Sequence, residues 1–360
     1  MIHISRIAVL VATVALAAAA CGSPAATGTP AAPPLAPASH AAPSAASSTA
    51  ATIAPSTAPT TAATVAPTEG ATSAPTPVAS VAVVATIPPE LLLFAGKLVI
   101  CSDMPYPPQE YFDANGNPIG SDIEIGQAIA ARLGLQAEIV NSYFDSIIPA
   151  LTGGKCDAII SAMNITADRL TQLDMIPYFQ AGQAFLVQKG NPSNIQTTTD
   201  LCGKTVAVES ATTMLDYLSG TSAFKGAGLP KICADAGLPA VTAKPFGKDP
   251  DALAALQAGT ADAYFSDLPV VIGYANAQPD AFEVAPVPQI EPALEGIGVA
   301  KPADTSQAHS GIYDAVKTAL LATISDGSYQ AILAKYLVDS GAITPDVVES
   351  GQLPASSSSP

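Results

Sequence analysis

FDSIIPALTGGKCDAIISAMNITADRLTQLDMIPYF, residues 144–179, holds the patterns that decide the fold. Asp145 can cap a short helix whose apolar Ile147, Ile148 and Leu151 share one side, and Gly153-Gly154 closes it. CDAII (156–160) is an apolar run of strand length, and its carboxyl end opens into Ser161 and Asn164. Thr166 then caps another helix with Arg169 in its first turn. A guanidinium, hydroxyl and amide groups and a helix amino terminus therefore converge where a parallel strand ends. Free N–H groups and an Arg fork both favour an anion, so the combination suits a small carboxylate.

The design recurs further along. ALTGGKCDAI (150–159) is echoed by ALQAGTADAY (255–264), which sets Asp157 and Asp262 105 positions apart. GKLVICSD (96–103) is echoed by GKTVAVES (203–210), 107 positions apart from Lys97 to Lys204. Any α/β chain shows some strand and helix echoes. Two at nearly one offset argue for two similar lobes whose strand ends face each other across a cleft.

The segment 144–179 resembles the signature of the bacterial extracellular solute-binding proteins of family 3, amino-acid receptors of ATP-binding-cassette importers. That signature runs aromatic-Asp-x-Leu-Ile-Pro-Ala-Leu, then Gly-x-x-Asp-Ala, then Ile-Thr-x-x-Arg, and the resemblance extends over Lys97–Ile343. It implies an α/β, two-lobed fold of the periplasmic-binding-protein type II, with a ligand cleft and a two-stranded hinge. The solute-binding domain is expected over 89–348, with lobe one at 97–187 and 293–345 and lobe two at 190–290. The crossing segments are expected near 183–187 and 296–299.

The same resemblance implies a ligand set. Arg169 would pair with the ligand's α-carboxylate, beside Ser161, Ala162 and Asn164 in the preceding loop. Asn164 stands where Thr or Ser is usual, yet its amide can donate. Asp267 matches the residue that holds the α-ammonium; a plain cap of the helix LPVVIGYAN is its other reading. Thr212 and Thr213 match a Gly-Thr-Thr anion loop, with Ala211 replacing the glycine. Tyr106 and Phe144 would be aromatic walls. Gln109 and Ser121 occupy positions where the family carries aromatics, and Asp122 reads as the cap of IEIGQAIAARL. Asp103 and Glu209 would face the distal end of the ligand, where two carboxylates repel an acidic side chain and favour a polar or basic amino acid.

The ends carry targeting information. Arg6 precedes an apolar run, Ile7–Ala20, that is short for a permanent span, so 1–20 is expected to be a signal peptide. Ala18-Ala19-Ala20 before Cys21-Gly22-Ser23 resembles a lipobox, which implies lipidation of Cys21 and anchoring at the extracytoplasmic face of the cell membrane. Residues 21–88 are dominated by Ala, Pro, Thr and Ser and are expected to form a disordered tether, with a disordered tail at 349–360. An exported protein meets an oxidising compartment, so Cys202 and Cys233, flanking one unit of the second lobe, are expected to bridge. Cys101 ends one strand and Cys156 begins another; if these run parallel the thiols lie at opposite ends, so no bridge is expected there.

Composition limits the chemistry. The formal charge of −16 argues against nucleic acid and against binding to an anionic membrane surface. The three histidines, His3, His40 and His309, fall in the signal, the tether and near a C-terminal helix, which disfavours His-based catalysis and His-containing metal sites. No nucleophile elbow, phosphate loop or zinc spacing occurs, so binding without turnover, cofactor or metal is expected. The partners implied are a small amino acid and the permease of an importer, with the chain itself a monomer. Two other readings remain: a receptor that feeds no importer, and a dehydratase on the same scaffold with Glu209 as its proton donor.

Overall fold

The computed structural model describes residues 81–303 and 309–353. The signal segment, Cys21, the tether to residue 80 and tail residues 354–360 lie outside the described residues. From residue 81 the chain already packs on the first lobe: Val84 N–H donates to the Arg132 carbonyl at 2.9 Å, and Ile87 is buried. Pro89–Leu91 forms a single 3-10 turn before the first strand.

The first lobe opens with β1 (Lys97–Ser102), the small pair β2 (Tyr111–Phe112) and β3 (Pro118–Ile119), α1 (Ser121–Arg132) and β4 (Gln136–Asn141). It continues through α2 (Phe144–Thr152), β5 (Ala158–Ile159) and α3 (Ala167–Leu170). The long β6 (Leu173–Gln188) leads into the second lobe: β7 (Thr205–Glu209), α4 (Thr213–Ser219), α5 (Gly228–Asp235), β8 (Thr242–Phe246), α6 (Asp249–Gln257), β9 (Ala263–Asp267), α7 (Leu268–Ala277) and β10 (Phe282–Val284). The chain returns along β11 (Ile290–Ala300) to α8 (Gly311–Ser325), α9 (Ser328–Lys335) and α10 (Pro345–Ser350).

Strand order is β4-β1-β5-β11-β6-β9-β7-β8, with β10 beside β6. β1 pairs in parallel with β4 and β5, and β7 with β8 and β9. Each parallel set carries helices on both faces, so β1 and β9 are apolar or buried along nearly their whole length. In lobe one, α1, α8 and α9 pack one face through Ile125, Ile129, Leu320 and Leu333, and α2 packs the other through Ile147 and Leu151. Gly126 is fitted to this packing: a Cβ there would lie 2.8 Å from Ile100 Cδ1.

The two lobes are joined by β6 and β11. β6 pairs with β11 from Leu173 onward, then exchanges that partner for β9 at Gln183. β11 joins β5 at Gly298 and Val299 and slips register between Ile290 and Ala293 and again between Glu295 and Gly296. The second crossing therefore lies at 290–295, ahead of the 296–299 expected, because Gly298-Val299 is already inside the first lobe's sheet.

The internal repeat has a structural basis. Asp157 Oδ2 accepts from Val99 N–H at 2.8 Å, and Asp262 Oδ2 accepts from Thr205 N–H at 2.9 Å. Each Asp pins the opening half of its lobe's first strand.

Cys202 and Cys233 are bridged, with Cα atoms 5.5 Å apart. Contrary to expectation, Cys101 and Cys156 are bridged too, with Cα atoms 5.7 Å apart. β5 is only two residues long, and Cys156 precedes it. The cysteine is therefore not held in the ladder at the far end from Cys101, and both side chains lie in the cluster of Val99, Ile147, Leu151 and Ile159.

Candidate functional site

Strand carboxyl ends of both lobes converge on a cavity of about 310 Å³ lined by Asp103, Tyr106, Glu110, Phe144, Ser161, Ala162, Asn164, Arg169, Glu209, Thr212, Thr213, Met214 and Asp267. All eleven residues expected to contact a ligand are among these; Glu110 and Met214 are additions.

Arg169 is positioned by Thr166, whose Oγ1 accepts from Arg169 N–H at 3.2 Å as α3 begins. Its guanidinium donates to the Asn164 carbonyl at 2.8 Å and to the Ala211 carbonyl, across the cleft, at 3.0 Å. The guanidinium carbon lies 5.3 Å from the centre of the Phe144 ring. Burial lowers its pKa to about 10 despite Asp216 and Asp267. Among the described residues no carboxylate lies within ion-pair distance of it. Ala211 adopts φ 61, so the alanine keeps the left-handed turn that a glycine would take. Ala162 is also left-handed, at φ 43, and its N–H donates to Asp122 at 2.9 Å. Strained backbone therefore flanks the cavity on both lobes.

Asp267 holds the N-cap position of α7 without a capping bond. It accepts instead from Tyr106 of lobe one at 2.8 Å. Burial pushes it up to about 7, against the pull of Tyr106 and Arg169. Thr213 Oγ1 donates to Asn164 Oδ1 at 2.6 Å, and Gln183, on β6, donates to Thr213 Oγ1 at 2.8 Å. Thr212 caps α4, accepting from Leu215 N–H at 3.2 Å.

Two capping expectations are corrected. Asp145 does not cap α2; Phe144 N–H donates to Asp103 Oδ2 at 2.8 Å, so that amide is satisfied from the residue just after β1. Asp122 does not cap α1, because Gly120 occupies the N-cap and Asp122 turns inward to Ala162 and Tyr178. Gly120, at φ +129, is required by contact: a Cβ would lie 2.1 Å from the Gln109 carbonyl oxygen. Asp103 is not free for a ligand, since Lys248 pairs with its other oxygen.

Behind the cavity lies a buried group of acids. Ser161 Oγ donates to Glu110 Oε1 at 2.9 Å, Gln109 Nε2 donates to Glu295 Oε2 at 2.9 Å, and Tyr178 donates to Asp122. Burial raises Glu110 and Glu295 well above the usual carboxylate range and Asp122 to about 6. Glu209 is pushed up to about 10, by burial first and the Asp103 charge second. Four lining residues present buried polar atoms without a hydrogen-bond partner: Asn164 Nδ2, Glu110 Oε2, Glu209 Oε1 and Asp267 Oδ1.

Residues 98–339 match the bacterial extracellular solute-binding proteins, family 3. The chain belongs to that family. This family-3 chain is 29% identical over 230 residues to the ABC transporter arginine-binding protein 1 of Escherichia coli, covering 63% of this chain and 85% of that one. Among solved structures it resembles an ancestral arginine-binding protein bound to arginine, at 33% identity and TM-score 0.57, covering 67% of this chain and 98% of the other. A second ancestral arginine-binding protein structure, bound to glutamine, matches at 32% identity and TM-score 0.58, covering 68% and 98%. The two-lobed expectation drawn from the sequence agrees with these neighbours.

Gln109 and Glu295 form a pair that sequence reasoning missed. In the sequence Gln109 stands out only as a replacement for an aromatic, and its partner lies 186 positions away. Glu110 was missed because PPQEY gives no sign that its carboxylate turns inward.

Proposed function

We propose that this protein binds a basic amino acid, arginine or lysine in class, between its lobes and delivers it to the permease of an ATP-driven importer. The observation that carries this reading is the sorting of partnerless polar atoms around the cavity. One donor, Asn164 Nδ2, stands with Arg169 and fits a carboxylate; three carboxyl oxygens, on Glu110, Glu209 and Asp267, accept from cationic N–H groups once the ligand's charge ionises them. An α-amino acid with a second cation supplies both. The importer partner is supported by the ABC transporter relative. Binding of a ligand that touches Arg169 on one lobe and Asp267 on the other favours the closed form, which is the state a permease would receive.

The reading includes Arg169 as the carboxylate clamp, Asp267 as the ammonium partner, Tyr106 and Phe144 as walls, and Ser161, Ala162, Asn164, Thr212 and Thr213 as the polar lining. It includes anchoring through a lipidated Cys21, outside the described residues, and binding without turnover. Titration calorimetry with arginine, lysine, glutamine and glutamate tests it. Arginine or lysine should bind most tightly and be recovered unchanged, and Arg169→Ala should weaken binding at least a hundredfold in a folded protein. Tight glutamate binding, or unchanged affinity in Arg169→Ala, would overturn it. Acyl mass on the Cys21 peptide from cell membranes tests the anchor.

A further inference from the structure

The residue before α6 is Lys248, at an N-cap, where Ser, Thr, Asp or Asn ordinarily accepts a bond from the first turn. Lysine makes no such bond there, and its charge sits at the unfavourable end of the helix dipole. The local sequence rules therefore argue against lysine at this position. What offsets them lies on the other lobe.

The Lys248 side chain crosses the cleft into a socket built wholly by lobe one. Its Nζ pairs with the Asp103 carboxylate and donates to the Ser142 carbonyl at 2.8 Å and the Met104 carbonyl at 3.2 Å. Asn141 Oδ1 lies 3.4 Å away, and the Tyr143 ring centre 4.5 Å away. An ammonium has three donors, so this socket saturates it. The Lys248 side chain is 17% exposed and that of Asp103 6%, so separating the pair would strand a nearly buried carboxylate. Both Asp103 oxygens then have donors, Lys248 Nζ and Phe144 N–H.

We propose that Lys248 is an interlobe latch and the resident counter-cation of the distal pocket. It holds the lobes closed before a ligand arrives, and it withdraws Asp103 from the carboxylates offered to a ligand cation. Opening the cleft breaks every one of its bonds to lobe one together, so the latch shifts the open–closed equilibrium without any ligand. The latch is independent of which ligand the cleft takes. The masking of Asp103 rests on the basic-ligand reading.

Spin labels at exposed Thr152 of lobe one and Gln257 of lobe two, in the full chain without ligand, measure closure directly. Lys248→Met should lower the closed-to-open ratio at least tenfold, and Lys248→Arg should retain most of it. Tyr143→Leu, at an exposed side chain, should shift it less and in the same direction. If the distances are unchanged in Lys248→Met, or if that variant does not fold and Tyr143→Leu changes nothing, the latch is overturned. Lys248→Met should also raise the affinity ratio of arginine over glutamine at least tenfold by freeing Asp103; an unchanged or lower ratio overturns the masking. If the parent protein binds neither arginine nor lysine, the functional reading fails while the closure measurement still decides the latch.

Discussion

Tyr106 of the first lobe donates its phenolic hydrogen to Asp267 of the second at 2.8 Å, and accepts from Asp267 N–H at 3.3 Å. One hydroxyl thus fixes the carboxylate that faces the cavity and ties the lobes across the cleft. Asp267 Oδ1 is left for a ligand donor.

Removing that hydroxyl takes away a hydrogen bond to a charged group and leaves Asp267 harder to ionise. Tyr106→Phe should therefore weaken arginine binding about tenfold or more near pH 7, and less at pH 9, where ionisation no longer limits. Asp267→Asn should cost at least a hundredfold at either pH. Calorimetry at the two pH values separates these outcomes; equal loss for Tyr106→Phe at both would show that the hydroxyl acts only through packing.

The pH dependence of stability follows from the same burial. Asp267 and Asp249 are pushed up to about 7 and Glu209 to about 10, with Glu110 and Glu295 raised as well. A carboxyl whose folded pKa exceeds its unfolded value keeps a proton that the unfolded chain has released. Its stabilisation is complete below the unfolded pKa, near 4, and is lost as pH rises through the folded value. The ligand-free melting temperature should fall by about 5 °C or more between pH 5.5 and 8.5. Affinity for arginine should move the other way, because its cations need ionised partners. A flat melting temperature over that range would contradict the protonated state of these acids.

Much of this architecture was legible. The echo of Asp157 in Asp262 is the echo of one hydrogen-bonding job in two lobes, and Thr166 with Arg169 carried the anion end of the site. Long-range pairings were not legible. Asp145 is a plausible cap by position, but the Phe144 amide is taken by Asp103, 41 positions before Phe144. Lys248 gives no signal in the sequence, since its partners come from two separate stretches of lobe one, 103–104 and 141–143. The bridge between the two cysteines of the first lobe is not legible because strand length, not strand direction, decides where Cys156 lies.

That second bridge can be checked chemically. Cys101–Cys156 closes a loop with a sequence separation of 55, and Cys202–Cys233 one of 31. Loop-closure entropy gives about 4 kcal/mol for each. Replacing Cys101 and Cys156 together with Ala should lower unfolding free energy by about that amount in denaturant titrations. The folded parent should resist thiol alkylation at all four cysteines until reduced. Ready alkylation of Cys101 or Cys156 without reductant would refute the bridge.

With Asp103 engaged by Lys248, Glu209 is the distal carboxylate that retains a partnerless oxygen. Burial and Asp103 keep it protonated near neutral pH, so a ligand guanidinium or ammonium placed against it must displace that proton. Arginine binding should then release protons, seen as a binding enthalpy that varies with the ionisation enthalpy of the buffer. Glutamine binding should release fewer. Glu209→Gln removes both the charge and the proton, so it should weaken arginine at least tenfold more than glutamine and abolish the extra buffer dependence. An equal effect on both ligands would mean that Glu209 serves the cavity wall and that Glu110 alone meets the distal cation.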